Sequence, residues 1–305
     1  MSISASQVKE LREISGAGMM DCKAALTETN GDMEAAVDWL RAKGISKADK
    51  KAGRTAAEGL VGVATNGKKS VIVEVNSETD FVARNDAFQD IGRNVATVAR
   101  GSDGSTAAVA AATYPATGKS VVDTIKDAVG TIGENLSFRR SAALSVGEGV
   151  VATYIHMGGK VGVLVEVATN EAGKENEEVK QFAHDLSLQI AAAKPEAVRR
   201  EEVDSEKLEK EREIQRAKAL EAGKPEKIVD RIVDGQIEKY YKEVCLLDQQ
   251  FVKDPDKTIK GLMAEVSKAA GAPVDVVRFA RFERGEGIEK RKDDLAAEIA
   301  AMQKA

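Results

Sequence analysis

The 305-residue sequence is short of aromatics, cysteine, histidine and proline: seven Phe, four Tyr, one Trp, two Cys and five Pro, with two His. Each shortage excludes something. Cys22 and Cys245 lie far apart, each in an apolar helical pattern, which predicts buried free thiols rather than a disulfide. Beside them stand only His156 and His184, so no close pair of zinc ligands exists. Two histidines also leave little scope for His-based general-base catalysis. No apolar run approaches the ~20 residues needed to cross a bilayer. The start, Met1-Ser2-Ile3-Ser4, lacks the basic and apolar segments of a secretory signal. Basic excess is missing too: 45 Lys and Arg stand against 50 Asp and Glu, a net charge of −5. A groove that tracks a nucleic-acid backbone is therefore not expected. Phosphate-loop, serine-hydrolase and His-Glu-x-x-His signatures are absent. The expectation is a cytoplasmic, reduced protein, off the membrane, without cofactor or metal and without catalytic chemistry of its own.

What is present is enough apolar content, 43%, for a sizeable core, in a length that suggests two or three domains. Residues 1–54 read as a helical unit with a linker. Ser4-Ala-Ser-Gln7 is a capping box. Val8, Leu11 and Ile14 recur at helical spacing, and Gly16 and Gly18 close that helix. A second helix over 20–29 turns Ala24, Ala25 and Leu26 inward, and Asn30-Gly31 breaks it. Asp32 caps a third, with Ala36, Val37 and Leu40 inward and Gly44 as its end. Residues 45–56 read as a linker or a poorly packed connecting helix. Met19 and Met20 follow a Gly-Ala-Gly turn, where paired methionines serve either as core filling or as an adaptable contact surface.

From residue 57 the pattern becomes strand-like. Two strands flank Asn66-Gly67, a type I′ hairpin signal, and a helix follows from about 86. The segment 101–118 is a loop with a short helix, then come a helix from Val121 and a strand over 135–146. A second pass starts near 148. Val71-Ile-Val-Glu-Val75 returns as Val163-Leu-Val-Glu-Val167, again after a strand and a glycine turn and again before a helix. This predicts an α+β fold with a duplicated unit of antiparallel sheet and helices, over 55–147 and 148–284. The second copy carries an inserted, highly charged helical hairpin at about 195–226, whose thin apolar stripe suits a projection. Residues 285–305 read as a C-terminal amphipathic helix.

The stretch after the first repeated strand is unusual for a strand-to-helix turn. Ser77-Glu-Thr-Asp-Phe-Val-Ala-Arg-Asn85 holds a large aromatic among acids and an arginine. Burial is the default for phenylalanine. The second copy, Ala168-Thr-Asn-Glu-Ala-Gly-Lys-Glu-Asn176, has glycine and lysine there, so the unit folds without an aromatic at that place. Phe81 is thus expected to be exposed and functional. Glu78 and Asp80 form a nominal acid pair, but adjacent loop acids are more often caps or surface charge. His156, at the end of a strand beside a glycine turn, is a contact candidate, and His184 a helix-surface or core residue.

Several stretches together resemble the bacterial elongation factor Ts family: Leu11-Arg-Glu-Ile-Ser-Gly-Ala-Gly-Met-Met-Asp-Cys-Lys-Ala-Ala-Leu26, the run 34–44, Glu74-Val-Asn-Ser-Glu-Thr-Asp-Phe-Val-Ala-Arg-Asn85, Gly133-Glu-Asn135 and 156–163. The resemblance spans essentially the whole chain. It implies a ubiquitin-associated-like N-terminal domain, the duplicated core, the hairpin and the C-terminal module. It also implies nucleotide exchange on elongation factor Tu, with Thr79, Asp80, Phe81 and Val82 as the motif that presses on the Tu GTPase domain. Met19, Met20, His156 and the C-terminal helix would be further contacts. A second copy of the chain, paired through the hairpin, is another candidate partner. Taken alone, residues 1–44 also permit a ubiquitin-binding adaptor; the 76–85 motif argues against that as the whole function.

Overall fold

A computed structural model describes residues 3–15 and 17–289, and of 44–50 the backbone alone. The chain opens with three helices, α1 (Ala5–Ser15), α2 (Met19–Glu28) and α3 (Met33–Lys51). The capping box is formed: Gln7 N–H donates to Ser4 Oγ at 3.2 Å, and Ser4 N–H to Gln7 Oε1 at 3.0 Å. Asp32 caps α3 through Ala35 N–H. The small core holds Val8, Leu11, Cys22, Ala25, Leu26 and Ala36, with Val37 and Leu40 packed on its edge. Ala24, expected inside, is exposed, since Cys22 and not Ala24 shares the face of Ala25 and Leu26. Gly44 does not end α3. One glycine costs a helix about 1 kcal/mol, and Lys and Ala residues carry the helix on to Lys51, alongside a later helix of the core.

β1 (Glu58–Thr65) and β2 (Lys69–Ser77) follow, then a single helical turn α4 (Asp80–Ala83), α5 (Asp86–Gly101), α6 (Thr106–Ala111), α7 (Val121–Ile132) and β3 (Ser137–Ser145). The order β1-β2-β3 is antiparallel throughout. The Asn66-Gly67 turn is not type I′, which needs positive φ at both residues. Only Gly67 has it (+85°); Asn66 instead accepts from the N–H groups of Lys68 and Lys69 through Oδ1.

The second copy repeats this plan with β4 (Val150–His156), β5 (Val161–Ala168), a single turn α8 (Glu171–Lys174) and α9 (Glu177–Ala193). The hairpin helices α10 (Ser205–Glu221) and α11 (Glu226–Val244) come next, joined by a short turn at Gly223. A small ribbon, β6 (Gln250–Phe251) with β7 (Asp254–Thr258), precedes α12 (Ile259–Ala270) and β8 (Asp275–Glu283). Sheet order is β4-β5-β8, again antiparallel. Both sheets carry a β-bulge at the same point of the repeat, between Glu74 and Val75 and between Glu166 and Val167. The expected C-terminal helix falls almost wholly on residues outside those described.

The two sheets lie face to face, with helices on their outer sides. Val71, Val73 and Val75 of β2 turn to one helix layer, and Val163, Val165 and Val167 of β5 to the other. Between the sheets sit Val61, Ile72, Leu144 and Leu164. Both faces of β2 and β5 are therefore covered, which is why Val71–Val75 and Val163–Val167 read as apolar runs with one glutamate each rather than as alternating ones. Gly162 permits the close approach: a Cβ there would lie 2.5 Å from Val61 Cγ1.

Glu74 is fully buried on this inner face. Its carboxylate accepts from Arg139 Nη1 at 3.0 Å, Arg140 Nε at 2.6 Å, Asn76 Nδ2 at 3.1 Å and Gly285 N–H at 2.7 Å. The bond to Gly285 ties the end of the second sheet to the first. Burial pushes this carboxyl up, but the bonds from Gly285, Arg140, Arg139 and Asn76 outweigh it and hold it below the usual range. The duplication extends to the charge pair: Glu166 is buried and accepts from its cross-strand neighbour Arg278 at 2.7 Å.

Candidate functional site

The turn after β2 is short and capped twice. Thr79, in extended conformation, accepts from Val82 N–H through its hydroxyl and starts α4. Asn85 accepts from Ala87 N–H at 2.9 Å and starts α5. Between these caps the side chains divide. Ala83 is buried, Val82 is half-buried against the first-copy core, and Phe81 is 82% exposed. Asp80 lies on the surface beside Phe81 and pairs with Arg84 at 2.6 Å. In the second copy the caps are Asn170 and Asn176, with the same spacing. Counted from these caps, the counterpart of Phe81 is Ala172, itself exposed, rather than Gly173 or Lys174. An aromatic at this place is thus not part of either core.

The turn is also held from behind. Gly133, with φ +89°, caps the C-terminus of α7 and turns the chain toward it. Glu134 accepts from Thr79 N–H at 3.0 Å and from the Thr79 hydroxyl at 2.6 Å. In return, Asn135 N–H donates to Glu78 Oε1 at 2.6 Å. Arg54 lies 3.6 Å from the same Glu78 carboxylate, and its carbonyl accepts from Asn135 Nδ2 at 2.7 Å. The Lys51 ammonium, at the end of α3, donates to the Gly133 carbonyl. Glu78 and Asp80 therefore have separate partners and are not assembled as a catalytic acid pair.

Met19 and Met20 occupy the first turn of α2, 61% and 78% exposed; they extend from a helix, not a loop. His156 is exposed at the end of β4, where Tyr154 Oη lies 2.8 Å from its Nδ1. The turn beyond it, residues 157–159, has three successive positive φ angles, and Met157 at its tip is 71% exposed. Gly159 O accepts from Val61 N–H at 2.8 Å, which seats this turn on β1, the strand that α4 also contacts. Met157 was missed in the sequence, although a methionine between His156 and Gly158-Gly159 has no element in which to hide.

His184 is exposed on α9, and both cysteines are buried; burial pushes the Cys245 thiol up to about 11. Among the described residues no group of three His, Cys, Asp or Glu is placed to hold a metal, and no helix is long and apolar enough to cross a membrane.

Polar groups spent on fixing turns, with one phenylalanine and three methionines left exposed, are what a surface that docks on another protein presents. Comparison with known sequences agrees. The family model described as Elongation factor TS matches residues 78–286, more than half of the chain. The chain is 56% identical over 309 residues to Elongation factor Ts of Rhizobium meliloti (strain 1021), covering 100% of each. It is 57% identical over 307 residues to that of Agrobacterium fabrum, covering 99% of each, and 57% identical over 309 residues to that of Bartonella henselae, covering 100% of each. The chain belongs to the elongation factor Ts family: it is a translation elongation factor that exchanges nucleotide, without catalytic chemistry of its own.

Proposed function

We propose that this chain binds elongation factor Tu and releases its GDP by inserting Phe81, with Asp80 beside it, against the GTPase domain. Thr79 and Val82 complete the inserted turn, and Met19, Met20 and His156 are secondary contacts. The observation that carries the reading is a ring 82% exposed on a turn capped at both ends. An apolar group of that size, left in water on a rigid mount, supplies burial energy only when a partner covers it.

The physical problem suits such a tool. A nucleotide held at nanomolar affinity is stabilised by about 12 kcal/mol, much of it through Mg²⁺ and backbone N–H groups around the phosphates. A factor accelerates release if it binds the nucleotide-poor state more tightly than the loaded state. Linkage then requires nucleotide to weaken the factor equally. A wedge that fits only after the elements near the Mg²⁺ site have moved meets that condition, because its burial favours the opened state alone. Nothing in this scheme needs a proton donor, a nucleophile or a nucleic-acid contact, and its setting would be the cytoplasm, with Tu.

The direct test is the wild-type chain added to Tu loaded with fluorescent GDP. Release should accelerate in proportion to factor concentration, and excess GDP should weaken the complex. A parallel pull-down with GDP-loaded Tu and with ubiquitin separates exchange from an adaptor role; capture of ubiquitin alone would overturn the reading.

A further inference from the structure

One carboxylate at this site is used in a way that the exposed side chains do not explain. Glu134 lies 55 positions from Thr79, yet it accepts from both the N–H and the hydroxyl of that residue, at 3.0 and 2.6 Å. Thr79 is the N-cap of the turn that bears Phe81, so Glu134 holds the cap by backbone and side chain together. Ser77 Oγ donates to the Thr79 carbonyl at 3.0 Å and Gln89 Nε2 to the Ala83 carbonyl at 2.5 Å, but neither reaches the Thr79 donors; Phe81 projects to solvent, and the Asp80–Arg84 pair is a surface contact. A helical turn of four residues is too short to sustain itself.

We propose that Glu134 is a positioning residue for Phe81: its carboxylate fixes the Thr79 cap and so sets the direction in which the ring leaves the surface. This rests on the docking role of Phe81 proposed above. Glu134 itself does not contact the partner. Bonds to an ionised acceptor are stronger than neutral ones. Without them the Thr79 donors turn to water, the short turn samples several orientations, and ordering it on docking costs binding free energy.

A double-mutant cycle on GDP release from Tu tests this, with Glu134→Ala, Phe81→Ala and the two combined. Glu134→Ala should lower the exchange rate per unit of factor about tenfold or more. Glu134→Gln, which keeps one acceptor, should recover part of that loss. With Phe81 already alanine, removing Glu134 should cost much less, because the ring is gone and only the lesser contacts of Asp80, Thr79 and Val82 are left to aim. Amide hydrogen exchange at Thr79 and Val82 should quicken in Glu134→Ala while the far-UV circular dichroism is unchanged. The proposal is overturned if Glu134→Ala exchanges normally while Phe81→Ala is impaired. Equal losses in both backgrounds would also overturn it, since they mark general damage. If Phe81→Ala itself runs at full rate, the wedge reading falls, and this proposal with it.

Discussion

Replacing Phe81 by alanine separates folding from docking, because the ring touches so little of its own chain. At 82% exposure its removal should move thermal stability by no more than about 0.5 kcal/mol, the usual range for surface positions. Docking is another matter. Covering a phenylalanine side chain that stood in water is worth about 1.5–3 kcal/mol, and truncating a central anchor typically costs about 2 kcal/mol or more. At 1.4 kcal/mol per factor of ten, GDP release should slow about 10- to 100-fold at a fixed factor concentration. Stopped-flow release of fluorescent GDP from Tu reads the rate directly. Phe88 is the control: it is fully buried on the inner face of α5, so Phe88→Ala should cost about 3–5 kcal/mol of stability while leaving the docking surface chemically intact. A Phe81→Ala protein that exchanges at the wild-type rate would refute the wedge, and one that unfolds early would refute the claim that the ring is outside the core.

Three further outcomes concern the scaffold and its surface. Glu74→Ala leaves Arg139 and Arg140 without their shared acceptor and should cost about 3–5 kcal/mol in urea unfolding. Because the Glu74 carboxyl is held below its usual value of 4.5, its stabilisation is complete above that pH and is lost as pH falls through the folded value. Glu283, held at about 2 by Lys194 and Arg281, acts in the same sense, so unfolding on acidification should steepen between about pH 4.5 and 2; Glu74→Gln should flatten that limb. Gly162→Ala places a methyl 2.5 Å from Val61 Cγ1 and should destabilise by about 1–3 kcal/mol through overpacking between the sheets. Dilute peroxide should oxidise Met19, Met20 and Met157 before the half-buried Met33 and Met263, as peptide mass spectrometry would show; equal rates would contradict the exposures.

Local signals were legible in the sequence because they act over a few residues. The Ser4–Gln7 box, the Asp32 cap and the Asn30-Gly31 break depend on neighbours three or four positions away. The exposure of Phe81 was legible for a different reason: the duplication supplies an internal control, and the second loop lacks the ring. What escaped depends on distant partners. Nothing near Gly44 announces that α3 runs on, because the surface that supports it is α7, some eighty positions later. The role of Glu74 needs Arg139, Arg140 and Gly285 in the same place, and that of Glu134 needs Thr79. The repeated Val-x-Val-Glu-Val motif held a trace of the first of these, an acid at the same step of two buried strands. Reading it would have required knowing that a second sheet covers the face on which that acid lies.

The continuation of α3 has a consequence for recognition as a matter of distance and phase. Its residues beyond Leu40, 41–51, form a strut of about 16 Å between the unit that presents Met19 and Met20 and the corner where Lys51 and Arg54 meet Gly133, Asn135 and Glu78. The methionine pair and Phe81 are thereby mounted on one gauge. One residue added to or taken from that strut would shift the pair by about 1.5 Å and swing it by about 100°. Substitutions along the exposed side of α3 leave this calibration untouched, whereas insertions and deletions change which two points of a partner can be reached at once.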